Sequence, residues 1–290
     1  MRTTPVRTTL AAAFAATTLA VAALAAPAYA VTRQQVIVEF DPTPNDSFNG
    51  DETRADDAID DTSGPIDRSI LAGIQDPGGR FQAQGSVGEF GNLGLFGSSS
   101  LVGELDTQIF IESDAFQNIT GKAQQAEARF IIDGGRFFMF AGQDSLIDFT
   151  LTVRKDFDVV YQSAFEYQSF FDPNLGFQNR LTTFGTDLDI QTNSPFEIEI
   201  PVNFETADLG IIQPNEQFEI SYQLDITMTT VAFAEIMGFE FSDPFDVSGF
   251  GEFPEVSFSD VPRAVPLPAS APLAVAAIGA LMLVRRRRRL

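Results

Sequence analysis

The clearest periodicity in the chain joins Phe218, Ile220, Tyr222, Leu224, Ile226 and Met228, interleaved with Glu219, Ser221, Gln223, Asp225 and Thr227. A period of two sends every large side chain to one face of a strand and every polar one to the other. The pattern recurs at Phe196, Ile198, Ile200, Val202 and Phe204, with Glu197 and Glu199 facing out. Phe149, Leu151 and Val153, between Thr150, Thr152 and Arg154, repeat it again. Further strands are expected over 35–40, 104–112, 157–167, 181–190 and 252–258. Residues 130–132 and 136–140 flank Asp133-Gly134-Gly135 and read as a hairpin around a glycine turn. No amphipathic helical stretch emerges after Ala30. One solvated face per strand and frequent turn signals predict a mainly β chain, folded as an antiparallel β-sandwich with jelly-roll and immunoglobulin-like topologies both open.

Two stretches break this pattern. Residues 41–79 are rich in Asp, Pro and Gly and read as a long acidic loop. From Gly85 a glycine recurs every third residue through Gly88, Gly91, Gly94 and Gly97, without proline, and reads as a flexible segment. The expected organisation is a leader over 1–30, an acidic loop-rich arm with the first strand over 31–80, a β-sandwich over 81–264 and a tail over 265–290.

Both ends carry processing signals. Arg2 and Arg7 precede an apolar run from Leu10 to Ala25, and Ala28-Tyr29-Ala30 supplies small residues at the −3 and −1 positions. This is the layout of a secretory signal, with Sec export and signal-peptidase cleavage after Ala30 expected. The body between Val31 and Ala264 then holds all 40 acidic residues and 11 of the 18 basic ones, a net charge of −29 against −22 for the whole chain. Such a body repels phosphate backbones and disfavours nucleic-acid partners.

At the other end Val265, Pro266, Leu267, Pro268 and Ala269 lead into an apolar run from Ala271 to Val284, closed by Arg285, Arg286, Arg287, Arg288, Arg289 and Leu290. The apolar run and arginine block make a stop-transfer element. Fourteen helical residues reach only about 21 Å, short of the ~30 Å hydrocarbon core, so a transient inner-membrane anchor is expected. This order of short proline motif, apolar helix and arginine cluster resembles the PEP-CTERM class of sorting tails, and more closely its VPLPA-CTERM variant. The resemblance covers about residues 265–290. It implies recognition by an exosortase, processing near Val265 to Ala269, and delivery to the cell surface or extracellular space, often alongside exopolysaccharide.

Candidate chemistry is limited by what is missing. The chain has no cysteine and no histidine, which removes disulfides, Ser-His-Asp and Cys-His machinery, and histidine-ligated metals. Asp51, Glu52, Asp56, Asp57, Asp60 and Asp61 form the densest acidic cluster. Of these, Asp56, Asp57, Asp60 and Asp61 are the candidate ligands for calcium, a cation that takes 6–8 oxygens in forgiving geometry. Asp243 with Asp246, and Asp187 with Asp189 on one expected strand face, are weaker candidates. Asn118-Ile119-Thr120 and Asn45-Asp46-Ser47 match the glycosylation sequon. Twenty-nine phenylalanines without a tryptophan point to a phenylalanine-filled core. The expected function is structural or adhesive and non-enzymatic, at the cell surface or in an exopolysaccharide matrix. A carbohydrate- or calcium-binding module and a carboxylate-dependent glycoside hydrolase or lyase are the alternatives.

Overall fold

The alternation around Tyr222 forms β17 (Ile220–Thr230), the central strand of a seven-stranded sheet. In a computed structural model of the chain the described residues are 31–42, 53–60, 69–87, 93–113, 115–132, 134–140, 144–186, 188–201, 203–231, 236–242 and 255–261. The first sheet runs β12 (Gly176–Gly185), β11 (Asp158–Asp172), β10 (Leu146–Lys155), β17, β6 (Gly103–Ser113), β1 (Val31–Pro42) and β2 (Arg54–Asp60). The second runs β13 (Gln191–Ser194), β14 (Glu197–Ile200), β9 (Gly135–Met139), β18 (Met237–Ser242), β5 (Leu93–Ser99), β4 (Phe81–Val87) and β3 (Ile70–Gln75). A three-stranded sheet, β15 (Asn203–Ile212), β8 (Gln124–Ile132) and β19 (Glu255–Asp260), lies against the first sheet as well. A short pair, β16 (Gln217–Phe218) with β7 (Phe116–Gln117), completes the described strands. Every strand pair is antiparallel. The mainly β, antiparallel sandwich expected from the pattern is what the chain forms.

Phenylalanines fill the space between the two large sheets. Phe137 of β9 is fully buried, 4.9 Å from the ring of Phe165 and 5.8 Å from that of Phe149, both on the opposite sheet. Phe149 and Phe165 stack at 4.9 Å, and Phe241 meets Phe149 across the sheets at 5.7 Å. Burying one such ring contributes about 2–3 kcal/mol, and their edge-to-face contacts add to that. Over the three-stranded sheet Phe130 plays the same part, edge-on to Tyr161 at 5.0 Å and Tyr222 at 5.6 Å.

Several segments depart from the sequence reading. β8 and β9 form no hairpin. Ile132 pairs with Asn203 and Gly135 with Ile200, so the two strands follow one another along the ribbon formed by β14 and β15. Gly134, at φ +65°, redirects the strand from one sheet into the next, and a glycine signal serves such a bend as readily as a turn. The stretch read as an acidic loop supplies β2 and β3, whose buried faces come from Ile59 and from Ile70, Ala72 and Ile74.

The glycine run supplies parts of β4 and β5, where Gly85 leaves room for Val36 and Gly97 for Phe239. The expected strand over 181–190 is instead the second half of β12, an irregular link and the approach to β13. Phe138, next to the buried Phe137, is half-buried on the outer face of the second sheet, whereas the neighbours Phe170 and Phe171 are both exposed.

Candidate functional site

The outer face of the second sheet is built by the residues that alternate with its core set. In β4 these are Gln82, Gln84 and Ser86, and in β5 Gly94, Phe96 and Ser98. β18 contributes Gly238 and Glu240, β9 Arg136 and Phe138, and β14 Glu197 and Glu199.

Register aligns them. Gly73 pairs with Gln84, Gln84 with Phe96, Phe96 with Glu240, Glu240 with Arg136, Arg136 with Glu199, and Glu199 with Gln191. One row therefore crosses all seven strands. At 4.7–4.9 Å per strand it spans about 29 Å. A second row beside it runs Gln75, Gln82, Ser98, Gly238, Phe138, Glu197 and Ser194.

Two open hollows lie along these rows and share Glu240. One, of about 420 Å³, is lined by Gln82, Gln84, Phe96 and Glu240 over the floor of Gly94. The other, of about 390 Å³, is lined by Arg136, Glu197, Glu199 and Glu240 beside Gly134 and Gly135. Gly94 and Gly134 lower the floor while the long amide and carboxylate side chains make the walls, so the face is a trough.

Its electrostatics are set by one guanidinium. Arg136 donates from Nε to Glu197 Oε1 at 2.8 Å and from Nη2 to Glu197 Oε2 at 3.1 Å. These hydrogen bonds hold the Glu197 carboxyl below the usual carboxylate range and the Arg136 guanidinium above its own. Asn193 donates to Glu199 Oε2 at 2.6 Å. Arg136 is thus fixed between Glu197, Glu199 and Glu240 and presents amide, carboxylate and guanidinium groups in alternation. Phe96 and Phe138 supply half-buried rings beside them. Such a surface offers hydrogen bonds to hydroxyl groups and apolar contact to the faces of sugar rings. Three carboxylates against one guanidinium leave it net negative, which favours a neutral ligand over an anionic one.

The residues singled out from sequence lie elsewhere. Asp56, Asp57 and Asp60 sit on β2, where alternation sends Asp57 to the opposite side from the other two. Asp57 Oδ2 accepts from the Leu71 amide at 3.4 Å, and Asp60 stands across from Arg33. Among the described residues no three Asp or Glu side chains converge closely enough to hold a metal ion. Asp51, Glu52, Asp61, Asp187, Asp243 and Asp246 lie outside the described residues, as do Asn45, Ala28, Ala30, Val265 to Ala269 and Arg285 to Arg289. Asp189 falls in the link before β13 rather than on a strand. No helix among the described residues is long and apolar enough to cross a membrane.

Asn118 is committed to the fold. Its Nδ2 donates to the carbonyls of Lys122 at 2.7 Å and Ile212 at 2.9 Å, while its Oδ1 accepts from Thr120. The sequon's asparagine is buried, with its amide nitrogen engaged by two carbonyls, while Ile119 and Thr120 are exposed.

No family model and no curated protein matches the sequence. Solved structures with a remote likeness include the VP2 subviral particle of infectious bursal disease virus, at 10% identity. That alignment covers 75% of this chain and 68% of the viral one, with a TM-score of 0.12. The Gt strain of the same virus aligns at 11% identity over 90% of this chain and 74% of the other, with a TM-score of 0.10. At such scores the viral capsid proteins carry no argument about this one.

Proposed function

We propose that this chain is an exported, non-enzymatic adhesive protein that binds neutral polysaccharide at the cell surface or in the surrounding matrix. The observation that carries the reading is the row Gln84, Phe96, Glu240, Arg136, Glu199 across the outer face of the second sheet. Its spacing is close to that of successive sugar rings in an extended glycan, and its groups match hydroxyls and ring faces rather than a reactive bond. The leader ending at Ala30 and the VPLPA-type tail support the address: export, transient anchoring by the tail, then trimming by an exosortase.

Affinity electrophoresis in gels cast with neutral glucans, mannans or acidic alginates tests the binding claim. Retardation by a neutral polysaccharide, abolished in Glu240→Ala and weakened in Gln84→Ala, is the expected outcome. Migration unaffected by every neutral polysaccharide would remove the reading. Mass spectrometry of the secreted protein tests the address separately, with Val31 expected as the first residue and the arginine block absent.

A further inference from the structure

The edges of the described sheets are not alike. β2 carries Asp56, Asp57 and Asp60. β3 runs beside β2, with the Leu71 amide donating to the Asp57 carboxylate. β13 is four residues long and its pairing shifts between Thr192 and Ser194. β15 carries Glu205 and Asp208 with a register shift beside them, and β19 carries Glu255 and Asp260. Each is short, acidic, irregular or covered, which are the usual guards against strand addition.

Among the described residues β12 shows none of these guards. Its ten residues, Gly176 to Gly185, pair with β11 without a register shift, so its other side presents main-chain groups at regular spacing. It holds no proline and none of the chain's 40 acidic residues. Its one charged residue, Arg180, donates to Gln168 Oε1 at 2.9 Å on the outer face, leaving the strand's free side uncharged. Phe177 and Phe184 are 44% and 48% exposed, and Phe171 packs edge-on to Phe177 at 5.4 Å. Among the described residues no strand pairs with β12 on that side.

We propose that β12 is the edge through which two copies of this chain pair, strand against strand and antiparallel, to continue the first sheet across a two-fold axis. A body of net charge −29 repels its own copies wherever carboxylates line the approach. Of the described edge strands that carry no carboxylate, β12 is the longest. A cationic partner would be drawn instead to the acidic edges. An isologous pairing also closes on itself, which gives a dimer rather than a fibre. This inference does not depend on the polysaccharide reading.

Sedimentation velocity of the full chain in a mild detergent, over a concentration series, tests it. A monomer–dimer equilibrium is expected, weakened about tenfold or more by Gln178→Glu combined with Thr182→Glu, which sets carboxylates against carboxylates at the new ladder. Ala58→Glu on β2 should leave it unchanged. Because the chain has no cysteine, single cysteines placed in turn at Gln178, Arg180 and Thr182 give a second readout that needs no added charge. Oxidation should trap a disulfide-linked dimer through at least one of them and none through Ala58→Cys. A chain that stays monomeric throughout, or a dimer indifferent to β12 and trapped through β2, would overturn the proposal, as would open-ended oligomers.

Discussion

The ring of Phe239 lies across Gly97 on the neighbouring strand, the two paired in register, with a Cβ at the glycine falling 2.5 Å from the ring. Phe241 lies over Gly135 and Phe138 over Gly238 in the same way. Glycine is a poor strand residue because it has nothing to pack. Here the missing side chain is replaced by the ring of its cross-strand partner. This explains how a chain with 22 glycines, 29 phenylalanines and no tryptophan keeps regular sheets and a filled core.

Gly97→Ala should therefore destabilise the protein, although alanine suits an ordinary strand better than glycine. The methyl group would displace a fully buried ring, at a cost of about 1–3 kcal/mol. Urea unfolding checks this, and the cost should shrink in a Phe239→Leu background. Equal costs in both backgrounds would show that the ring and the glycine act independently.

Asp148 stands across from Glu166 in the β10–β11 ladder. Burial, then the charges of Glu166 and Glu104, hold its carboxyl above the usual range. A group with a raised folded pKa adds stability below its unfolded pKa, and that contribution is lost as pH rises through the folded value. Glu166→Gln should then stabilise the protein near neutral pH by about 0.5 kcal/mol. The gain should vanish at about pH 3 and fade in ~1 M salt. Melting temperatures across pH and salt measure it.

The two carbonyls held by Asn118 make Asn118→Asp a sharp test of its role. A carboxylate in that place would face two carbonyl oxygens it cannot donate to. A loss of about 1–3 kcal/mol is expected on denaturant unfolding. Stability equal to that of the parent would show that the turn does not depend on the amide.

The fold was legible wherever alternation was long, as at β17 and around Ile198, because burial of one face imposes a period of two. It was least legible where glycine dominates. Gly134 reads as a turn and serves as a bend, and Gly85, Gly94 and Gly97 read as parts of a flexible run while lying in β4 and β5. Gly134 misleads because a bend and a turn ask for the same positive φ, whereas Val36 and Phe239, which fill the space at Gly85 and Gly97, are distant in sequence. The trough is half visible in the sequence, since alternation with Ile198 and Ile200 turns Glu197 and Glu199 outward. Its row could not be, because Gln84, Phe96, Glu240 and Arg136 come from four strands and only their cross-strand register puts them in line. β2 was hidden for the opposite reason, an acidic composition that describes an exposed edge as well as a loop.

The absence of tryptophan permits a direct test of the binding face. Phe96→Trp places one indole in the trough, and Phe110→Trp places one on the outer face of the first sheet as a control. Titration with a neutral polysaccharide should shift the emission of the first variant saturably and leave the second unchanged. No shift at position 96, or the same shift at both positions, would contradict the assignment of that face.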